Sequence, residues 1–158
     1  MKKLNLKNIG LALLAIFVVI QFFRIDKTNP PIDPNKDFIT ITHASPEVSS
    51  ILKTSCYDCH SNEAKYPWYT NIAPFSWWIK HHINEGMEEL NFSEWGSYKA
   101  RRMDHKLKEG IELIEKNEMP LYSYTIMHGD AKLSAEQKEK LISFFKSLRT
   151  GESDKPRD

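Results

Sequence analysis

Both cysteines of the 158-residue chain lie in one five-residue run, Cys56-Tyr57-Asp58-Cys59-His60. C-x-x-C-H is the attachment signature of c-type haem. On a helix, residues i, i+3 and i+4 share a face, so two thiols and an imidazole can meet one flat ligand. The thiols would add to the two vinyl groups as thioethers, and His60 would bind the iron as proximal ligand. Three other chemistries use the same residue types. A thioredoxin-like C-x-x-C belongs in a βαβ pattern, which this sequence lacks. A structural zinc site needs four ligands, and Cys56 and Cys59 could recruit only the distant His81, His82 or His105. A disulfide across so short a loop stabilises less than one closing a long loop. One covalently attached haem c is the expected cofactor.

A second axial ligand is sought downstream. Met119 precedes Pro120, and proline disfavours the α conformation of the residue before it. Met119 should therefore leave the preceding helix and project its thioether from a loop, where it can reach the iron face opposite His60. Its alternatives are a plain core methionine, Met127 and His128 before Gly129, and His81 or His82 on the preceding helical stretch. Adjacent histidines on a helix point to different faces, so at most one of that pair can reach the iron.

The elements that must position these groups read as helical. Ser45 as N-cap and Pro46 at the first helical position open a predicted helix over 46–62. Others are expected over 76–90 and 97–117, the latter with Met103, Leu107, Ile111 and Ile114 on one face and Gly110 as a weak point. The clearest runs from the capping-box pair Ser134 and Gln137 through the apolar stripe Leu141, Phe144, Phe145 and Leu148. Strand-like alternation is confined to 38–42. The fold class is mostly α.

Ahead of this domain lies a different composition. The first 24 residues hold Lys2, Lys3, Lys7 and Arg24 and no acid, whereas residues 25–158 carry a net charge of −3. From Ile9 to Phe23 the only polar side chain is Gln21. A basic flank followed by an apolar run is an export signal. No small-x-small cleavage site follows, which favours an uncleaved signal anchor or transmembrane helix over 1–25. The lysines on its N-terminal side place the remainder outside the cytoplasm, on the periplasmic face of the cytoplasmic membrane. Residues 26–37, with three prolines, read as an extended spacer, 38–150 as the haem-binding domain and 151–158 as a polar tail.

Overall net charge of +1 argues against a nucleic-acid-binding chain. Ten of the eighteen aromatic residues, all four tryptophans among them, lie between Tyr57 and Tyr98. An ordinary core and a haem pocket would both bury them. Lys99, Arg101 and Arg102 read as a solvated basic face, with haem propionates as alternative partners. No substrate pocket or acid–base pair is legible, so the expectation is not an enzyme.

The motif and its surroundings resemble the bacterial haem-binding domain family. The resemblance runs through 55–62, Tyr66-Pro67-Trp68-Tyr69, 72–78, His81-His82-Ile83-Asn84-Glu85-Gly86, 91–95 and Glu118-Met119-Pro120-Leu121 with Tyr124 and His128. It covers most of 38–150 and implies a variant of the monohaem cytochrome c fold closed by a terminal helix over Leu133 to Leu148. It also implies that Cys56 and Cys59 are the attachment thiols, His60 the proximal ligand and Met119 the distal one. The expected role is a membrane-anchored one-electron carrier serving an unidentified redox partner protein. A haem-based sensor with an open or displaceable sixth ligand is the alternative.

Overall fold

The computed structural model describes residues 5–155, so Lys2 and Lys3 of the basic flank lie outside the described residues. The chain is mostly α-helical, with no strand among the described residues. The helices are α1 (Leu6–Ile20), α2 (Phe38–Thr42), α3 (Pro46–Ser55), α4 (Tyr57–His60), α5 (Phe75–Glu89), α6 (Ala100–Glu115), α7 (Tyr122–Thr125) and α8 (Ala135–Leu148). Four short 3-10 turns punctuate them, at Trp68–Asn71, Phe92–Ser97, Gly129–Ala131 and Glu152–Asp154.

Two local expectations are corrected. The strand-like stretch 38–42 is helical. Its alternating Ile and Thr favour β structure, but Asp37 caps it as a helix, accepting from the N–H groups of Ile39 and Thr40 at 2.9 and 3.3 Å. Phe38 is then carried to the centre of the core, fully buried against Phe92, Trp95, Phe144 and Phe145. Nor does one helix span 46–62. Ser45 caps α3 as expected, but Cys56 leaves helical geometry (φ −128°, ψ −43°) and α4 starts afresh at Tyr57. The break re-aims the single turn that carries Cys59 and His60.

Helices α6 and α8 form the main packed pair, and α3 leans on both α4 and α8. Leu107, Ile111 and Ile114 of α6 are buried as their spacing predicts, with Met103 partly buried beside them. A Cβ on Gly110 would lie 3.2 Å from the Phe145 ring, so this glycine lets α8 come close. In α8 the capping box is complete: Gln137 N–H donates to Ser134 Oγ at 3.1 Å, and Ser134 N–H donates to Gln137 Oε1 at 2.9 Å. Residues 26–37 contain no helix, yet they lie along the domain. Asn29 Nδ2 donates to the Ala64 carbonyl, Asn62 Nδ2 to that of Pro31, and Gly96 N–H to that of Lys36.

The chain after α8 is tied down by one buried carboxylate. Asp104, 1% exposed, accepts from the Arg149 guanidinium and from the N–H groups of Thr150, Gly151 and Ser153. Burial alone would raise its pKa. Hydrogen bonds from Arg149, Ser153 and Gly151 outweigh burial and hold the carboxyl well below the ordinary 3.8. A depressed folded pKa contributes stability that is fully present above the unfolded value and disappears as pH falls below it. Asp104→Asn should therefore cost about 3 kcal/mol at pH 7. The loss should shrink below about pH 4. Urea unfolding at the two pH values checks it; an equal loss at both would remove the charge from the explanation.

Helix α1 is apolar and exposed on nearly all its sides. At 1.5 Å per residue its 15 residues reach about 22 Å, against about 30 Å for a bilayer's hydrocarbon core. Among the described residues, no helix is long and apolar enough to cross a membrane.

Candidate functional site

The site is assembled where α4 meets α5. Tyr57 stacks on Phe92 (centroids 5.3 Å apart, planes 7° apart) and donates its hydroxyl to Asp37 at 2.9 Å. Ser61 and Asn62, both buried, pin the far end of α4. Ser61 Oγ donates to the Tyr57 carbonyl, and the Asn62 side chain bridges Asn91 and Pro31. Buried polar groups with all partners present hold an element in one register. The C-x-x-C-H turn is thus fixed from both ends.

Gly86 sets its third constraint. A Cβ built there would sit 2.6 Å from the Cys59 carbonyl oxygen and 3.3 Å from the Cys59 Cβ. Only glycine lets the α5 backbone lie against α4 at that distance. Because α5 is so close, His60 Nδ1 reaches two backbone carbonyls, Gly86 O at 2.8 Å and Leu90 O at 3.0 Å. Carbonyls only accept, so Nδ1 carries the proton and Nε2 is left with its lone pair. Burial pushes the imidazole pKa down, partly offset by the Leu90 and Gly86 hydrogen bonds, which keeps the ring neutral near pH 7. A neutral imidazole whose other nitrogen donates to backbone is the usual form of a histidine metal ligand.

The two thiols stay protonated. Burial, with Cys59 alongside, pushes Cys56 up to about 12; burial and the Asp58 carboxylate push Cys59 up to about 11. Such groups lack the thiolate character of a reactive redox cysteine. Among the described residues, no three His, Cys, Asp or Glu converge as they would for a metal ion. His81 instead pairs with Glu85 at 3.2 Å and His105 with Glu109 at 3.3 Å, both on exposed faces, so the zinc alternative lacks its ligands.

Two adjoining cavities flank the motif. One, of about 600 Å³, is lined by Cys56, His60, Met119, Pro120 and the core residues Phe92 and Phe145. The other, of about 410 Å³, is lined by Cys59, Trp68, Tyr69, Trp78, Met127 and His128. His82 and Leu121 border both. Together they give a large, mainly apolar ligand one thiol on each side, with an imidazole ready to bind a metal. The residues present fit a haem. A family model for the haem-binding domain matches residues 15–147.

The chain belongs to the haem-binding domain family. No curated protein and no solved structure matches it significantly. Haem is therefore the ligand of this domain, and Cys56 and Cys59 supply its C-x-x-C pair.

The structure sorts the remaining candidates. Helix α6 ends at Glu115, Asn117 turns the chain in the left-handed conformation (φ 61°), and Met119 N–H donates to the Leu113 carbonyl. Met119 thus lies beyond the helix and lines the cavity that holds His60. Met127 and His128 line the other cavity, where His128 Nε2 meets the Tyr69 hydroxyl at 2.5 Å and its ring stacks on Tyr124. Of the α5 pair, only His82 borders the cavities. Arg101 and Arg102 bond to backbone carbonyls of Ser153, Lys155 and Glu88, and neither lines these two cavities.

Two contributors carry weak sequence signals. Lys106, its side chain 12% exposed, borders the His60 cavity and is held by Glu89 and Glu109 at 2.9 and 2.7 Å. Its i,i+3 acid on α6 is legible in the sequence; Glu89, on another helix, is not. Gly86 falls within a conspicuous motif, but nothing in its neighbours names Cys59 as the group it must approach.

Proposed function

We propose that this haem-binding domain is a one-electron carrier with a single covalently attached haem, tethered by α1 to the outer side of the cytoplasmic membrane. The observation that carries it is the pair of carbonyls on His60 Nδ1, which prepares Nε2 as an axial ligand beside the Cys56 and Cys59 thiols. Cys56 and Cys59 would hold the haem covalently through thioethers, and His60 and Met119 would be the ligands of its iron. When bound, the haem supplies an iron that alternates between ferric and ferrous. The chain's residues would fix its position and exclude water, and a soft Met119 thioether as second ligand would favour the reduced ion relative to a second histidine. Lys106, on the wall of the same cavity, would meet a haem propionate only in competition with Glu89 and Glu109.

Met119→Ala tests the ligand set. The variant should keep its covalent haem through denaturing electrophoresis but turn high-spin and bind carbon monoxide. It should also lose the near-infrared charge-transfer band of methionine-bound ferric haem. An unchanged low-spin spectrum would place the sixth ligand elsewhere, with His82 first to examine. A wild-type protein already high-spin would favour a sensor.

A further inference from the structure

Residues 21–37 join α1 to α2, and they are bonded to the domain along their length, at 21, 23, 27, 29, 31 and 36. Gln21 grips the Ala73 backbone twice: Ala73 N–H donates to Oε1 at 3.0 Å, and Nε2 donates to the Ala73 carbonyl at 3.1 Å. The Trp77 indole N–H donates to the Phe23 carbonyl at 2.8 Å, and Lys27 Nζ donates to Asn71 Oδ1 at 2.7 Å. The bonds of Asn29 to Ala64, of Asn62 to Pro31 and of Gly96 to Lys36 follow. Asp26 and Asp33 close turns inside the segment, accepting from the N–H groups of Thr28 and Asn35 at 2.8 and 3.0 Å. Pro30, Pro31 and Pro34 each fix their own φ. A linker that lets a domain swing holds no such register.

The same segment holds the haem motif from both ends. Asp37 accepts from the Tyr57 hydroxyl at 2.9 Å, at the start of α4, and the Pro31 carbonyl accepts from Asn62 Nδ2 at 2.9 Å, just past its end. Ala73, gripped by Gln21, lies between Ile72 and Phe75, which line the cavity beside Cys59. Helix α1, residues 21–37 and the C-x-x-C-H turn are therefore one hydrogen-bonded series. We infer that residues 21–37 are a rigid strap that holds the haem at one tilt and one height over the bilayer, with the Cys59 side of its site next to the membrane surface. The inference rests on the proposed membrane attachment of α1 and deepens it. A strapped domain does not travel on a tether, so its redox partner meets a haem held in place at the membrane surface.

The test uses the full-length, haem-loaded chain in phosphatidylcholine–phosphatidylglycerol vesicles that carry a phosphatidylcholine with a nitroxide on its headgroup. The vesicles are floated on a density gradient and then dried into oriented multilayers. Electron paramagnetic resonance of the ferric haem is recorded as the sheet is turned in the field. The haem lines should change several-fold in amplitude with angle, and the haem should speed the relaxation of the headgroup nitroxide. A Gln21→Ala, Lys27→Ala, Trp77→Phe variant frees residues 21–27 without touching either cavity wall, which gives a tether of about 24 Å. That variant should float and keep its haem absorption spectrum, but its haem lines should no longer depend on angle. Wild-type protein that floats with angle-independent haem lines would overturn the strap and leave the anchor standing. Angle-dependent lines with unchanged nitroxide relaxation would overturn the placement of the Cys59 side. A variant as well oriented as the wild type would overturn the role of these bonds. Wild-type protein that fails to float would overturn the membrane attachment and the strap's purpose with it.

Discussion

His60→Ala is expected to abolish the low-spin haem spectrum altogether and to leave a protein that unfolds far more readily than the wild type. Two losses combine. The iron loses its proximal nitrogen, and the Gly86 and Leu90 carbonyls lose the donor that now meets them at 2.8 and 3.0 Å. The Gly86 carbonyl keeps the Leu90 N–H at 3.0 Å, whereas the Leu90 carbonyl is left without a partner, which costs about 1–3 kcal/mol. That is a large share of a total stability of about 5–15 kcal/mol. Because the substitution leaves a ring-sized space in the cavity wall, added imidazole should enter it and restore the low-spin spectrum while leaving the chain without its own covalent link between ligand and α4. Spectra with and without imidazole, read beside thermal unfolding, separate ligation from packing. A His60→Ala protein whose spectrum stays low-spin without imidazole would assign the proximal position to another residue.

Gly86→Ala should be the most damaging single-methyl change in the domain. In an ordinary helix interior the substitution would stabilise by about 1 kcal/mol through helix propensity. Here the new Cβ would lie 2.6 Å from the Cys59 carbonyl oxygen, which is backbone and has no rotamer to yield. Relief requires α5 to move off α4, which stretches the Gly86–His60 hydrogen bond and widens the haem site. Overpacking of this kind costs about 1–3 kcal/mol. With backbone on both sides the upper end applies, and the net loss should be about 2 kcal/mol. Denaturant unfolding measures it. A reduction potential shifted together with stability would show that the displacement reaches His60, whereas a stabilised Gly86→Ala protein would refute the close approach.

Much of the haem chemistry was legible because it is written locally. Cys56, Cys59 and His60 fall within five residues, a spacing that by itself points to haem, the ligand of the family. The Met119–Pro120 step likewise states its own departure from the helix. Helices α5, α6 and α8 followed from apolar periodicity, and the Ser45 and Ser134 caps from residue type. Elsewhere local preference lost to surroundings. Ile39, Thr40 and Ile41 favour a strand, but the Asp37 cap and the burial of Phe38 make α2 a helix. The break at Cys56 had no sequence signal, since no glycine or proline marks it.

The aromatic cluster shows where pattern stops being informative. Tyr57, Trp68, Phe75, Trp78, Phe92 and Trp95 are alike in composition, and only the fold separates the core members Tyr57, Phe92 and Trp95 from Trp68, Phe75 and Trp78, which line the cavity beside Cys59. Gly86 and Asp104 make the same point for single residues. A helical glycine reads as a weak position and a helical aspartate as a surface charge. Their importance comes from Cys59, 27 positions away, and from Arg149, 45 positions away.

By itself the sequence pointed to haem and to the C-x-x-C-H run as its motif, because that chemistry needs particular atoms at a fixed short spacing. Only the tertiary structure decided which nitrogen of His60 is free, which glycine permits the approach of α5, and which aromatics line the cavity beside Cys59. Those properties depend on groups brought together from distant parts of the chain, and no local spacing encodes them.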